Sequence, residues 1–449
     1  MAFRGWWNDL LNRGLATGTH SYFGSGDLAG HRFHLRVDSG QKGVLMIDAS
    51  RLVFLNGTAL DYVRCALEGW SDARAARYMR RRYRGLERAR ALEHFRRVSG
   101  QLEEFLHGRT DIISNMGPSS PTAGADDLPA PYRMDLALTY RCQNDCGHCY
   151  NETKEKRELS PENWERVLGR LWSSGVPHVV FTGGEPTLVP FLERLVARAQ
   201  ALGQVTGLIT NGRRLSEPGY LKGLVGAGLD HVQITLLSHR ESVHDGLTRD
   251  PGSWKQTVEG IKAAVKENIY VASNTTLLAK NIDEIEDTLR FAIGLGLRNV
   301  AFNGIIRSGL GKTGEALKLP DVEKALDRLK RIADESGVKM VWYAPTPYCE
   351  FNPVSHGFGI KQCTACSVNM AVEPDGTVIP CQSCYEPLGN ILTDSWDGIW
   401  NHRLCKEFRE RGYLPDKCRR CDQVELCGGG CPLSLKHGDY LCTDRDSNA

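Results

Sequence analysis

The sequence Thr139-Tyr140-Arg141-Cys142-Gln143-Asn144-Asp145-Cys146-Gly147-His148-Cys149-Tyr150 contains three cysteines in the spacing C-x3-C-x2-C. A loop this tight lets three thiolates converge on one [4Fe–4S] cubane, whose fourth iron is left without a protein ligand. The alternative is a zinc loop, but zinc sites usually close with four ligands and no fourth cysteine lies nearby. The motif therefore predicts an iron–sulfur cluster with one open iron, held by Cys142, Cys146 and Cys149.

The motif follows an apolar run, and five similar runs come after it, up to about Ala344. Helical segments such as 161–175 and 281–296 separate the runs. Buried runs that alternate with helices are typical of parallel strands with crossover connections. The pattern predicts a partial (β/α)6 barrel over 132–345, with functional residues at the C-terminal ends of the strands. The six runs are MDLALTY, HVVFTGG, VTGLITNG, HVQITLL, YVASNTTLL and VAFNGII.

The second run ends in Gly183-Gly184-Glu185, where two glycines allow close approach of the backbone to a ligand and Glu185 offers acceptors to an ammonium group. With the cysteine triad and the Tyr150 that closes it, this stretch resembles the radical S-adenosylmethionine (SAM) superfamily. The resemblance implies reductive cleavage of bound SAM to a 5′-deoxyadenosyl radical, which abstracts hydrogen from the substrate. It also implies SAM contacts from Tyr150, Gly183, Gly184, Glu185, Asn211, Thr235 and Arg249.

Some of these residues also have a structural interpretation. Asn211 is alternatively a turn residue, and Thr235 and Arg249 are equally consistent with structural roles. Asn303, Arg307 and Tyr343 are further candidates for the pocket wall, because they lie at or just beyond predicted strand ends.

Eleven of the fifteen cysteines lie from Cys349 onward, and a reducing compartment argues against structural disulfides for them. Beginning at Cys418 they read C-x2-C-x5-C-x3-C with a later Cys442, and upstream the chain has Gly376-x4-Cys381. This array resembles the SPASM domain of radical SAM enzymes that mature peptides and proteins. It implies two auxiliary [4Fe–4S] clusters in 346–449, and therefore three clusters in the chain. A pair of stabilising zinc sites is the alternative.

The resemblance also implies a division of the ligands. Cys418, Cys421, Cys427 and Cys442 are expected to bind the distal cluster. Cys349, Cys363, Cys381 and Cys431 are favoured for the proximal cluster, with Cys366 as the main rival. Cys65, Cys384 and Cys405 are expected to be ordinary thiols. Some relatives have an aspartate after the ligand that matches Cys381, where it acts as a base, but this chain has Gln382.

The N-terminal quarter, 1–114, is separated from the barrel by a Pro-, Ser-, Gly- and Asp-rich linker at 115–131. Two strand-like stretches, at 31–40 and 42–55, precede three helical stretches, which predicts a small α+β domain. Over about 28–110 the order resembles the winged-helix-like (PqqD-like) domains that recognise leader peptides in ribosomal peptide maturation. A generic helical cap on the barrel is the alternative.

The formal charge of +2, from 56 basic and 54 acidic side chains, offers no field to attract nucleic acid or an anionic membrane. No apolar run is long enough to span a bilayer, so we expect a cytoplasmic protein. The favoured function is modification of a ribosomally made precursor peptide to give a crosslink or an oxidation, with electrons from a reductase, flavodoxin or ferredoxin-type donor. Modification of a small tetrapyrrole or metal-cofactor precursor is one alternative, and a catalytically silent cluster-binding module is another.

Overall fold

The computed structural model describes residues 14–29, 31–37, 40, 42–47, 51–106, 130–152, 155–267, 269–314 and 316–438. The chain divides into two compact units, 1–124 and 125–449. Of the predicted linker 115–131, only residues 130 and 131 are described. The predicted ligand Cys442 lies outside the described residues. The domain boundaries given above therefore stay predictions.

The first unit contains a four-stranded antiparallel sheet in the order β1-β2-β3-β4, followed by three helices. The predicted strands and helices are confirmed, but β1 was not predicted because its sequence, GTHSYF, has few apolar residues and is only partly buried. Phe33 and Leu35 of β2 pack with Leu60 of the first helix and Met79 of the second in one apolar core. The elements are β1 (Gly18–Phe23), β2 (Arg32–Val37), β3 (Gly43–Ile47), β4 (Arg51–Leu55), α1 (Gly57–Leu67), α2 (Asp72–Arg82) and α3 (Arg88–Leu106).

The second unit is built on the predicted parallel strands, and the sheet order β11-β10-β9-β8-β7-β6-β5 follows the chain. All six predicted runs form strands of a partial α/β barrel, and a short seventh, β11, extends the row. Strands such as β5 and β6 are buried on both faces, which explains their apolar sequences, whereas residues of β8 alternate between buried and partly buried. They are β5 (Arg133–Thr139), β6 (His178–Gly183), β7 (Val205–Thr210), β8 (His231–Thr235), β9 (Tyr270–Thr276), β10 (Asn299–Asn303) and β11 (Lys339–Trp342).

Helices connect these strands as the alternating pattern predicts. Ser160 caps the first of them by accepting a hydrogen bond from the backbone N–H of Asn163. The helices are α4 (Pro161–Ser173), α5 (Leu192–Leu202), α6 (Tyr220–Gly226), α7 (Glu241–Thr248), α8 (Ser253–Ala264), α9 (Ile285–Gly294) and α10 (Leu319–Glu335). No helix in the described parts of the chain is long and apolar enough to cross a membrane.

The cysteine-rich segment continues the barrel sheet. Strand β12 pairs in parallel with β5, with Asn369 opposite Arg133, and β13 and β14 follow in antiparallel register. Five short helices complete the segment. Its elements are β12 (Asn369–Val372), β13 (Thr377–Ile379), β14 (Gly389–Asn390), α11 (Trp396–Trp400), α12 (Arg403–Arg409), α13 (Asp416–Arg419), α14 (Val424–Cys427) and α15 (Pro432–His437).

Candidate active site

A cavity of about 770 Å³ extends from the C-terminal ends of the barrel strands to the first residues of β5. Three kinds of segment line it: the cysteine loop after β5, the ends of strands β6 to β11, and parts of the cysteine-rich segment. Asn303, Arg307 and Tyr343 line it as predicted. The structure thus brings the cysteine loop and residues more than 200 positions later in the chain to one cavity.

The three cysteines of the loop, Cys142, Cys146 and Cys149, all line this cavity. Burial is the main cause that raises the pKa of Cys142 to about 11 and that of Cys146 to about 12, and neighbouring thiols of the triad raise both further. Thiols that are buried together resist ionisation unless a cation compensates them. A bound metal cluster supplies that compensation, and its binding would release protons.

The Gly183-Gly184 turn packs directly against the start of the cysteine loop. A Cβ at Gly183 would lie 2.1 Å from the carbonyl oxygen of Thr139, and one at Gly184 would lie 2.4 Å from that of Arg141. Gly183 also has φ of 133°, which a residue with a side chain rarely adopts. Both positions line the cavity, so glycine here brings bare backbone to its wall.

Glu185 is fully buried behind this wall and is not among the described residues that line the cavity. Its Oε1 accepts hydrogen bonds from the backbone N–H and hydroxyl of Thr187, at 3.0 and 2.6 Å, and from the hydroxyl of Thr210 at 2.7 Å. Its Oε2 accepts from the backbone N–H of Asn211 at 2.8 Å. The carboxylate therefore joins the ends of β6 and β7.

The other predicted SAM contacts fall into two groups. Tyr150, Asn211 and Thr235 line the cavity, and the amide nitrogen of Asn211 lies 3.9 Å from the sulfur of Cys142. Arg249 instead lies beside the cysteine loop, where its guanidinium is 3.7 Å from the carboxylate of Asp145, and it is not among the described lining residues.

The cysteines after the barrel form two separate sets. In the first set, Cys363, Cys381 and Cys431 line the cavity, and Cys384 pairs with Cys381 through an isolated β-bridge. Burial raises the pKa of the Cys363 thiol to about 12, with a further contribution from its neighbours Cys431 and Cys384. Four thiols thus lie near one another on this side of the cavity.

The second set contains Cys349, Cys418, Cys421 and Cys427. The backbone N–H of Tyr348 donates to the sulfur of Cys427 at 3.2 Å, which fixes the adjacent Cys349 beside the set. Burial raises the pKa of Cys418, and the thiols of Cys349, Cys427 and Cys421 raise it further.

Two thiols lie with neighbours other than those expected from the sequence. Cys349, favoured for the proximal cluster, lies with Cys418 and Cys427, and Cys384, expected to be an ordinary thiol, lies with Cys381 and Cys431. Sequence spacing did not reveal either placement, because the segments that connect these cysteines have no characteristic length. The assignment of the ligands stays a prediction.

Cys366, the rival ligand, has a different neighbour. Its sulfur lies 2.7 Å from that of Cys405 in α12, and both residues are fully buried. The guanidinium of Arg409 donates to the carbonyl oxygen of Cys366 at 3.0 Å, which holds α12 against this turn. This contact favours Cys363 over Cys366 as a cavity-lining ligand.

Sequence reasoning missed a chain of polar contacts at the side of the cavity. Arg133 donates from Nε to Asp135 at 2.6 Å, and the Asp135 carboxylate also accepts from the amide of Gln382 at 2.5 Å. The Tyr150 hydroxyl donates to the carbonyl oxygen of Gln382 at 2.6 Å. The available signal was two charged residues within β5, a strand that otherwise reads as fully apolar.

Comparison with known proteins agrees with this geometry. Residues 136–292 match the radical SAM superfamily, and residues 363–422 match SPASM, an iron–sulfur cluster-binding domain. The chain is a radical SAM enzyme with a SPASM domain.

Two curated relatives of this radical SAM enzyme match over most of their length. A PqqA peptide cyclase of Ruegeria pomeroyi is 29% identical over 352 residues, covering 74% of this chain and 90% of the relative. A PqqA peptide cyclase of Rhizobium meliloti is 27% identical over 343 residues, covering 72% and 89%. Among solved structures, Streptococcus suis SuiB bound to its precursor peptide SuiA has a TM-score of 0.64 at 16% identity and covers 90% of this chain and 94% of SuiB, which shows a common fold.

The residues of the radical SAM domain fit the cofactors that the family uses. Three thiols face one cavity and leave a metal cluster one open position, and two glycines without Cβ atoms border the same space. In the described part of the chain, no three Cys, His, Asp or Glu side chains converge closely enough to hold a single metal ion. A cubane spreads its thiolates over a larger volume than one ion does, so looser sets are compatible with it.

Proposed function

We propose that this radical SAM enzyme modifies a ribosomally made precursor peptide by abstracting a hydrogen atom from one of its carbons, which leads to a crosslink or an oxidation. The observation that carries the proposal is the shared cavity, where the cysteine triad and three cysteines of the first SPASM set line one space of about 770 Å³. That the curated relatives are named as PqqA peptide cyclases supports a peptide as the substrate.

The chain's own residues have distinct roles in this proposal. Cys142, Cys146 and Cys149 hold the cluster that, together with bound SAM, supplies a 5′-deoxyadenosyl radical. The backbone at Gly183 and Gly184 would hold the methionine part of SAM, and Asn211 and Thr235 would bind SAM from neighbouring strand ends. Glu185 orients this wall through its hydrogen bonds to Thr187, Thr210 and Asn211. Arg249 steadies the cysteine loop through Asp145.

The SPASM cysteines are proposed to hold two auxiliary clusters, which gives three in the chain. The cavity-lining cluster is assigned to Cys363, Cys381, Cys384 and Cys431. The second is assigned to Cys349, Cys418, Cys421 and Cys427, and Cys442 competes with Cys349 for a place. The supporting observation is the grouping of the thiols described above.

The N-terminal sheet is proposed to recognise the leader part of the peptide. Within the described residues, β1 and β4 are the two edges of this sheet, and an extended leader segment can add to such an edge through main-chain hydrogen bonds. Binding the leader tethers the core peptide and raises its concentration at the cavity. A flavodoxin- or ferredoxin-type donor is proposed as the source of electrons.

Anaerobic co-expression of the full chain with the short peptide encoded beside its gene tests this function by mass spectrometry. We expect the peptide to lose hydrogen, and the Cys142→Ala, Cys146→Ala, Cys149→Ala triple variant to leave it unchanged. An unmodified peptide together with vigorous SAM cleavage would instead favour a small cofactor precursor as the substrate. Failure of the reconstituted wild type to cleave SAM would favour a silent cluster-binding module.

The same preparations decide the cluster count. Three cubanes predict about twelve irons per chain, and the triple variant should contain about four fewer. About four irons in the wild type, or stoichiometric zinc, would remove the auxiliary clusters from the proposal.

A further inference from the structure

Arg133 is the outer member of a buried ion pair on the cavity wall. It lies at the start of β5, between β6 and β12, and its backbone N–H donates to the carbonyl oxygen of Val368 at 2.9 Å. The Arg133 side chain is 35% exposed whereas that of its partner Asp135 is 3% exposed. Both residues line the cavity, and because the guanidinium is the more exposed of the two groups, it is the one that a bound molecule can reach.

Asp135 fixes the orientation of this guanidinium. One carboxylate oxygen accepts from Arg133 Nε at 2.6 Å, and the other accepts from the amide of Gln382 at 2.5 Å. A guanidinium carries five N–H donors in a planar fork, so the bond through Nε leaves the terminal nitrogens with donors to offer. A fork held rigidly at one edge is well suited to bind a carboxylate at the other.

The ionisable side chains of the cavity wall are mostly cationic, and the thiolate clusters proposed above add negative charge to the same wall. Among the Arg, Lys, Asp and Glu side chains that line it in the described residues, three are cationic (Arg133, Arg307 and Lys318) and one is anionic (Asp135). Arg307 donates to the carbonyl oxygens of Gly311 and Gly314 in its own loop, at 3.2 and 2.5 Å. Arg133 differs from Arg307 because it lies in strand β5 and is held in place by a buried carboxylate, that of Asp135.

We infer that Arg133 binds a carboxylate of the peptide substrate and so holds one acidic group of the peptide at the wall of the cavity. This inference rests on the proposed function and makes it more specific, because it names the substrate feature that the cavity selects. The carboxylate comes from an Asp or Glu side chain or from the C-terminus of the peptide. Tyr150 and Tyr343 line the same cavity as Arg133, and their rings offer an apolar surface to the peptide residue that carries the carboxylate.

A double-mutant cycle with the full chain and its precursor peptide tests the inference. Each Asp and Glu of the core peptide is changed in turn to Asn or Gln, and one peptide carries a C-terminal amide. The enzyme variants are Arg133→Gln and Arg133→Lys. Arg194→Gln serves as a matched surface control, because Arg194 pairs only with the exposed helix residues Glu162 and Glu165 among the described contacts. Peptide modification is measured as kcat/KM, and 5′-deoxyadenosine formed without peptide reports cofactor handling separately.

We expect one acidic group of the peptide to be required. Its neutralisation should lower kcat/KM about 30-fold or more with the wild type and with Arg194→Gln, and should have little further effect with Arg133→Gln. Arg133→Lys keeps a charge beside Asp135 but loses the fork, and we expect an intermediate effect. This variant covers the case in which Arg133→Gln folds poorly.

Three outcomes would overturn the inference. The first is an effect of neutralising the acidic group that persists undiminished in both Arg133 variants. The second is a wild type for which no acidic group of the peptide matters. If instead the wild type modifies no peptide although it cleaves SAM, the proposed function itself fails, and the carboxylate site fails with it. The wild-type enzyme remains active on the peptide in the first two outcomes and is inactive on it in the third, so the two kinds of failure can be told apart.

Discussion

Replacing Glu185 with glutamine distinguishes two roles for this buried carboxylate. The sequence predicts that Glu185 offers its oxygens to the ammonium group of SAM. In the structure those oxygens already accept four hydrogen bonds from Thr187, Thr210 and Asn211. We therefore expect Glu185→Gln to loosen the ends of β6 and β7 even in the protein without cofactors.

The magnitude follows from the contacts. Glutamine can keep its carbonyl oxygen toward Thr187 and Thr210, but its NH2 group then faces the Asn211 N–H, which loses its acceptor. A buried donor left without a partner costs about 1–3 kcal/mol, and a hydrogen bond to a charged group is worth about 1.5–3 kcal/mol. Burial raises the pKa of Glu185, which means that burying the charged carboxylate has a free-energy cost. The neutral amide of the glutamine variant avoids part of this cost. We expect a net loss of about 2 kcal/mol in local opening free energy, which is about a 30-fold faster exchange.

Hydrogen exchange of the Asn211 amide, resolved by mass spectrometry with fragmentation, measures this opening directly. Glu217→Gln is the matched control, because Glu217 lies on the surface and pairs with Arg214. The pH dependence gives a second check. The folded-state pKa of Glu185 lies above the ordinary value, so its contribution to stability is fully present at low pH and is lost as the pH rises through the folded pKa. Glu185→Gln should remove this dependence.

If the exchange rate at Asn211 stays within about threefold of the wild type, the change in opening free energy is under ~0.7 kcal/mol and the reasoning is refuted. It would mean that the carboxylate is not needed to order the strand ends and is held for the cofactor. A loss of SAM affinity without any change in exchange would lead to the same conclusion.

Three further predictions concern separate parts of the chain. Gly183→Ala would place a Cβ 2.1 Å from the carbonyl oxygen of Thr139, so we expect a loss of more than about 3 kcal/mol in unfolding free energy and loss of SAM binding, measured by urea denaturation and calorimetry; near-wild-type values would contradict the close packing. His34 is buried and its pKa is lowered to about 3, chiefly by burial and then by Arg32, so the unfolded chain gains a proton below about pH 6.5 that the folded unit does not. Its stability contribution is present at neutral pH and should fall by about 2 kcal/mol by pH 5, and His34→Leu should reduce this loss in pH-dependent denaturation; an equal acid sensitivity in both proteins would count against it. Cys384→Ser should lower the iron content of the reconstituted protein, whereas Cys405→Ser should not, and the reverse result in iron and sulfide analysis would exchange their roles.

Much of the fold could be predicted from the sequence, because the relevant signals are local. Strands such as β5 and β6 read as apolar runs, since parallel strands that are covered on both sides bury both faces. The cysteine triad is a local motif too, because its three ligands lie within one loop. The strand β1 was not predicted because it lacks such a local signal: its partly exposed sequence has no alternation of apolar and polar residues.

The sequence by itself determined the barrel, the triad and the Gly183-Gly184 turn, because each depends on residues that are neighbours along the chain. Only the tertiary structure decided which distant thiols share a set, so that Cys349 lies with Cys418 and Cys384 lies with Cys431. It also decided that β12 adds to β5, which brings Gln382 to Asp135 and leaves Arg133 facing the cavity. The contacts of β12 with β5 and of Gln382 with Asp135 join residues more than 200 positions apart. No spacing rule fixes these distances or those between the thiols, because packing and strand pairing set them only once the chain has folded.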